Sequence, residues 1–153
     1  MKSEPALFSL DDLRAMPKRT APWDGVRNYQ ARNYMREMRT GDLVLFYHSN
    51  CKQPVAVGIA KVVREAYPDY TAWNRTSDHF DPASHPEAPL WFMVDVRWKQ
   101  AFAEPVPLSA MKSMPQLKEM PLLRRGNRLS VMPVTREQFD AVTARRKNRC
   151  LPK

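Results

Sequence analysis

Two apolar runs dominate the chain, residues 43–48 (LVLFYH) and 55–63 (VAVGIAKVV). Both are short and rich in β-branched or aromatic residues, which predicts strands rather than helices. Residues 91–98 (WFMVDVRW) predict a third strand, with Trp91, Met93, Asp95 and Arg97 on one face and Phe92, Val94, Val96 and Trp98 on the other. Thr40-Gly41-Asp42 turns into the first strand, and Pro54 ends the turn before the second. Gly58, inside the second, marks a bulge or a close approach by another backbone. After a Gly126-Asn127 turn, residues 129–132 (LSVM) predict a further short strand.

Helical signals fall between and around these runs. Ser9 and Asp12 have capping-box spacing, so a helix over 10–16 is expected, ended by Pro17. Thr135 and Gln138 repeat that spacing and open a terminal helix through about Arg145. Residues 108–113 suit a short helix, and 116–120 a further turn. A longer helix is expected from Val26 to Met38, where Asn28, Ala31, Met35 and Met38 share one face. That wheel makes Asn28 the polar member of an inward stripe. Residues 66–90 form a long irregular segment whose aromatics (Tyr67, Tyr70, Trp73, Phe80) argue for an ordered loop packed on the sheet. Antiparallel strands without βαβ alternation, with helices at the ends and in the connections, predict an α+β fold: a small closed or partly closed β-barrel with peripheral helices.

Composition narrows the class. The 153 residues are expected to form one domain, 43% hydrophobic and 27% charged, which argues against disorder. No run approaches a membrane span and MKSEP has no apolar signal core, so the reading is a soluble, cytoplasmic protein, nuclear in a eukaryote. Cys51 and Cys150 lack any zinc-ligand spacing and are read as free thiols. Twenty-five Lys+Arg against 16 Asp+Glu give a net charge of +9, which favours polyanionic partners, nucleic acid first. Residues 145–149 (RRKNR) read as a solvated basic tail.

The candidate chemistry is that of binding. A buried Asn28 must satisfy an amide donor and an acceptor, by capping a neighbouring loop or by meeting a ligand. The first turn of its helix offers free N–H groups, and Trp23 lies five residues upstream with a flat apolar plane. Together these suit a planar heterocycle with polar edges, such as a base taken out of its strand. Residues 45–50 (LFYHSN) end a buried strand in polar and aromatic groups, either lining a mouth or simply packing. Asp78-His79-Phe80-Asp81 with His85 matches no metal-ligand spacing of known mechanism, so no metal is assigned. There is no GxSxG, Walker loop or GxGxxG, and no catalytic residue or cofactor is assigned either.

Read in order, MKSEP, FSLDDL, WDGVRNYQARN, GDLVLFYHSN, GIAKVVREAYPD, LWFMVDVRW and RLSVMPVT resemble the EVE domain over roughly residues 1–143. That family belongs to the PUA-like superfamily. The resemblance implies a mixed β-barrel of about five to six strands with peripheral helices. It also implies a non-catalytic module that reads a modified base, a modified cytosine in DNA, in an aromatic and polar pocket. Position by position, the pocket would comprise Lys2, Ser3, Glu4, Trp23, Val26, Asn28, Tyr29, Phe46, Tyr47, His48 and Ser49, with Ser130 as an extension. Trp23 or Phe46 would be the stacking plane, Asn28 the hydrogen-bond reader, and Ser3 and Ser49 edge contacts. Lys2, Arg27, Arg32 and Arg128 would meet phosphates.

The chain departs from the family in two places. Members commonly carry a few strand residues ahead of the MKSEP-like motif, and TAWNRTSDHFDPAS matches the family loop only loosely. The partner is expected to be nucleic acid carrying a modified base, bound by a monomer or weak homodimer, with no membrane involved. DNA and RNA both stay open. The alternatives are an enzyme acting on nucleic acid, with His48 and Glu4 as its best acid–base candidates, and a protein-interaction module.

Overall fold

A computed structural model of the chain describes residues 1–144. Five strands form one mixed sheet: β1 (Lys2–Ser3), β2 (Thr20–Pro22), β3 (Leu43–His48), β4 (Val55–Pro68) and β5 (Phe92–Pro107). Their spatial order is β1-β3-β4-β5-β2, parallel between β1 and β3 and antiparallel elsewhere. Among the described residues β1 and β2 are the unpaired edges, so the ladder does not close and the sheet is open. Its two longest strands, β4 and β5, run further than the hydrophobic pattern predicts, to Pro68 and Pro107 rather than 63 and 98. The extensions are largely polar on their exposed positions and resemble loop in the sequence. Repeated register shifts between β4 and β5 let them bend while staying paired.

Both faces of the sheet are covered, and β3 shows why its pattern is so dense. Val44 and Phe46 face one core with Leu10, Leu13, Trp23, Ala31 and Met35. Leu45 and Tyr47 face a second with Ile59, Phe102, Met111 and Val142. A strand buried on both sides reads as a continuous apolar run. Gly58 fulfils both expectations for it: the register shifts beside it, and a Cβ there would collide with the Gln100 carbonyl and with Leu10.

Four α-helices are described: α1 (Leu10–Ala15), α2 (Tyr29–Glu37), α3 (Leu108–Lys112) and α4 (Arg136–Ala144). The two predicted capping boxes are formed. Asp12 N–H donates to Ser9 Oγ at 3.0 Å and Ser9 N–H to Asp12 Oδ2 at 2.7 Å; Gln138 N–H donates to Thr135 Oγ1 at 3.1 Å and Thr135 N–H to Gln138 Oε1 at 3.0 Å. The turn expected over 116–120 is replaced by 3₁₀ turns at Pro115–Leu117 and Pro121–Leu123. Residues 129–132 are not a strand. They meet the sheet through one ladder-like bond, Lys2 N–H to the Ser130 carbonyl at 2.7 Å, with Val131 buried. The basic tail from residue 145 and Cys150 lie outside the described residues. No helix among those described is long and apolar enough to cross a membrane.

Candidate nucleic-acid interface

The chain from Trp23 to Asn28 is a turn, and α2 starts three residues later than expected. Gly25 adopts φ +76°, a conformation glycine takes without strain. A Cβ there would strike the imidazole of His79, so the 66–90 segment lies directly on this turn. Asn28 is the N-cap of α2: its Oδ1 accepts the Ala31 N–H at 3.0 Å. The inward position assigned to it is therefore corrected. Ala31 and Met35 are buried, whereas Asn28 is exposed and presents its amide N–H₂ outward without a protein partner.

The turn is held by Asp69, which is completely buried. Its carboxylate accepts the Gly25 N–H at 2.8 Å, Arg27 Nη1 at 2.9 Å and the Thr71 N–H at 2.9 Å. Burial opposes ionisation of Asp69, but the hydrogen bond donated by Thr71 Oγ1 at 2.5 Å, those from the Gly25 N–H and Arg27, and the Arg27 charge outweigh it and hold the carboxyl below its usual range. Arg27 also donates from Nε and Nη2 to the His79 carbonyl, at 2.9 and 2.7 Å, and to Thr71 Oγ1 at 3.2 Å. Its guanidinium clasps the turn to the loop. The phosphate contact expected of it is thus replaced by an internal role. Asp24, in the same turn, has its carboxyl pushed up by burial and by the Asp69 charge, against the pull of His79 and Arg27.

Trp23 is 8% exposed and meets Phe46 edge to face, centroids 5.5 Å apart. Phe46 is 0% exposed and meets His48 the same way at 5.8 Å. The three rings form one row on the α1–α2 side of the sheet. Phe46 lies inside that row and cannot be a stacking plane for a ligand; Trp23, at one end, keeps an indole N–H without a protein partner among the described residues. The β1–β3 pairing sets Ser3 opposite His48 and brings Ser49 N–H to the Ser3 carbonyl at 2.9 Å. Ser3 Oγ itself donates to the Phe8 carbonyl at 2.6 Å. His48 Nε2 accepts the Leu10 N–H at 3.1 Å, and burial pulls its pKa down against the opposing effect of Asp11 and Asp12. Glu4 is half-buried beside them, its backbone carbonyl accepting the Leu7 and Phe8 N–H groups at 2.9 Å each. Tyr47 faces the second core, and burial pushes its hydroxyl up to about 12, so it does not share a pocket with Trp23.

Val26 packs in the first core. Tyr29, 56% exposed, stacks on Trp91 at 4.9 Å with 24° between the planes. Arg32 lies 4.8 Å over Tyr29 and donates to the Leu90 carbonyl at 2.9 Å. Lys2, lowered in pKa by burial, donates from Nζ to the Asn127 carbonyl at 3.2 Å. Arg128 and Ser130 follow on that segment, with Arg128 exposed. Sequence reasoning assigned no such role to three contributors, Asp69, Trp91 and Asp81. Asp81 accepts the Trp91 indole N–H at 2.6 Å. Asp69 had a usable signal in its Asp-x-Thr spacing, a common turn-capping pattern. Among the described residues, no group of three or more His, Cys, Asp or Glu comes together to hold a metal.

A cavity of about 610 Å³ opens elsewhere, between the end of α2 (Glu37, Met38), Asp42 and the stretch around Met132, Val134 and Phe139. None of the expected pocket residues lines it.

The fold and this surface define an α+β module, a mixed sheet covered on both faces, with one aromatic and polar corner. The EVE domain family model matches residues 1–145, and the chain belongs to that family. Mouse thymocyte nuclear protein 1 is 47% identical over 159 residues, covering 93% of this chain and 70% of that protein. A crystal structure of a Pseudomonas putida protein superposes with TM-score 0.91 at 46% identity, covering 95% of this chain and 97% of that one. Human thymocyte nuclear protein 1, crystallised in complex with 5-methylcytosine-containing DNA, superposes with TM-score 0.92 at 44% identity, covering 97% of this chain and 96% of that one.

Proposed function

We propose that this chain is a non-catalytic reader of a modified base in nucleic acid, a modified cytosine in DNA, acting as one domain. The observation that carries the reading is the human relative's complex with 5-methylcytosine-containing DNA, at 44% identity over nearly the whole chain. The net charge of +9 supports a polyanionic partner. In this reading the base meets Trp23, Asn28 and Tyr29 at the start of α2, and Ser3, Glu4, His48 and Ser49 at the joined ends of β1 and β3 are further candidate contacts, linked to Trp23 by the Trp23–Phe46–His48 row of rings. The Asn28 amide and the Trp23 indole N–H supply unpartnered donors, and Lys2, Arg32 and Arg128 supply charge for adjoining phosphates. The long bent pair β4–β5 supports reading the sheet as a partly closed barrel with its seam between β1 and β2. A binding screen over single- and double-stranded DNA and RNA, each with cytosine or 5-methylcytosine, tests the reading. Preference for the methylated DNA is expected; equal binding of all methylated and unmethylated pairs would overturn it.

A further inference from the structure

Trp98, on β5, lies on the same face of the sheet as Trp23 and packs against the same core. Its ring carries two guanidinium groups, Arg14 at 5.3 Å and Arg19 at 5.2 Å from the centroid. Its indole Nε1 is buried and without a hydrogen-bond partner. Arg19 follows Lys18, and both adopt left-handed backbone conformations, φ 52° and 54°. Two consecutive non-glycine residues in that region are rare and need holding in place. The hold comes from Thr20, whose Oγ1 donates to the Lys18 carbonyl at 2.9 Å and accepts Arg97 Nε at 3.1 Å. Arg14, Lys18, Arg19 and Arg97 are all exposed, and none enters the ion pairs formed among the described residues, Arg27–Asp69, Arg39–Glu65 and Arg136–Asp140. Two guanidinium groups sharing one indole without an ion-pair partner repel each other, and the left-handed backbone that carries Arg19 to the ring suits a ligand that is itself anionic.

We propose that Arg14 and Arg19, both stacked on Trp98, are a docking site for the phosphodiester backbone flanking the recognised base. The inference rests on the reader function proposed above and adds a second contact region to it. β2 leads from Arg19 to Trp23 along the edge of the sheet, with Thr20 opposite Arg97 and the Trp23 N–H bonded to the Val94 carbonyl. Four residues of strand span roughly 13 Å. At about 3.4 Å of duplex axis per nucleotide, that reaches phosphates about four nucleotides from the base held at Trp23. Arginine suits the task because its planar fork forms paired hydrogen bonds to phosphate while its face stays on the indole.

The test compares the wild-type chain with the double variant Arg14→Ala/Arg19→Ala, and with Arg14→Lys/Arg19→Lys as the charge-preserving control. Affinity for a duplex with one central 5-methylcytosine, and for its unmodified twin, is measured across a salt series. The alanine variant is expected to weaken both duplexes by the same factor. It should make the slope of log affinity against log salt shallower by about 1.8, two phosphate contacts at about 0.9 each, while the lysine variant keeps most of the slope. Cutting the flanks to two nucleotides on each side should erase the difference between wild type and alanine variant. An unchanged slope, or a loss confined to the methylated duplex, overturns the proposal. A wild-type chain that binds both duplexes equally sinks the reader function instead, and the slope comparison still decides this site. Failure to bind either duplex at low salt overturns both.

Discussion

Asp69 Oδ2 lies 2.9 Å from Arg27 Nη1 and also accepts the Gly25 N–H at 2.8 Å, so one buried oxygen ties the Trp23 turn to the loop that covers it. Removing a partner from such a pair leaves the other charge stranded, at a cost of about 3–5 kcal/mol. Arg27 keeps 21% side-chain exposure and can partly rehydrate, so Asp69→Ala is expected near the lower end, about 3 kcal/mol. Chemical denaturation of the two proteins measures it. Because the folded pKa of Asp69 is depressed, its contribution is fully present above the unfolded value near 3.9 and is lost as pH falls through the folded one. Stability of the wild type should therefore drop more steeply than that of Asp69→Asn below about pH 4.

Trp23 answers two demands, and substitution separates them. As an 8% exposed residue of the core, Trp23→Ala should cost about 3–5 kcal/mol and so lower the melting temperature clearly. Loss of base discrimination in that variant would say nothing about stacking. Trp23→Phe keeps the edge contact to Phe46 in kind but drops the indole N–H. It is expected to stay folded and to bind the methylated duplex more weakly, which a melting curve and a titration together would show.

Asn28 separates in the same way because only its oxygen is used internally. Asn28→Ala removes the cap of α2 and should destabilise by about 1 kcal/mol. Asn28→Asp keeps a capping oxygen and loses the outward amide donor. Its stability is expected to match the wild type while the preference for methylated DNA falls; an unchanged preference would take Asn28 out of the base site.

His48 Nε2 must be unprotonated to accept the Leu10 N–H. Its folded pKa is pulled down by burial, so its contribution is present above the unfolded value near 6.5 and is lost as pH falls through the folded value. Between pH 7.5 and 5.5 the wild type should lose more melting temperature than His48→Gln does. Equal losses would mean that His48 is not coupled to that N–H.

The elements that rest on local chemistry were legible in the sequence. Both capping boxes, the two-sided burial of β3 and the close approach at Gly58 follow from residue type and spacing within a few positions. The extensions of β4 and β5 were not, because each is held by pairing with the far end of the other strand rather than by a local pattern of its own. Asn28 was misplaced by a wheel that began three residues early; the Gly25 turn, fixed by Asp69 from 44 residues away, delays the helix. Tyr47 was grouped with His48 because the family motif runs through both, although strand alternation sends their side chains to opposite faces. The Arg27–Asp69 clasp and the Tyr29–Trp91 stack join segments 42 or more residues apart, and no single sequence reveals such pairs.

The central claim concerns recognition of the base rather than of charge. The most direct measurement is the ratio of affinities for two duplexes differing by one cytosine methyl group, taken at several matched salt concentrations. Counterion release acts on both duplexes alike, so a reader keeps a ratio well above one as salt rises and both affinities fall. A ratio of one at every salt concentration would contradict the account and leave a basic protein that binds nucleic acid by charge alone.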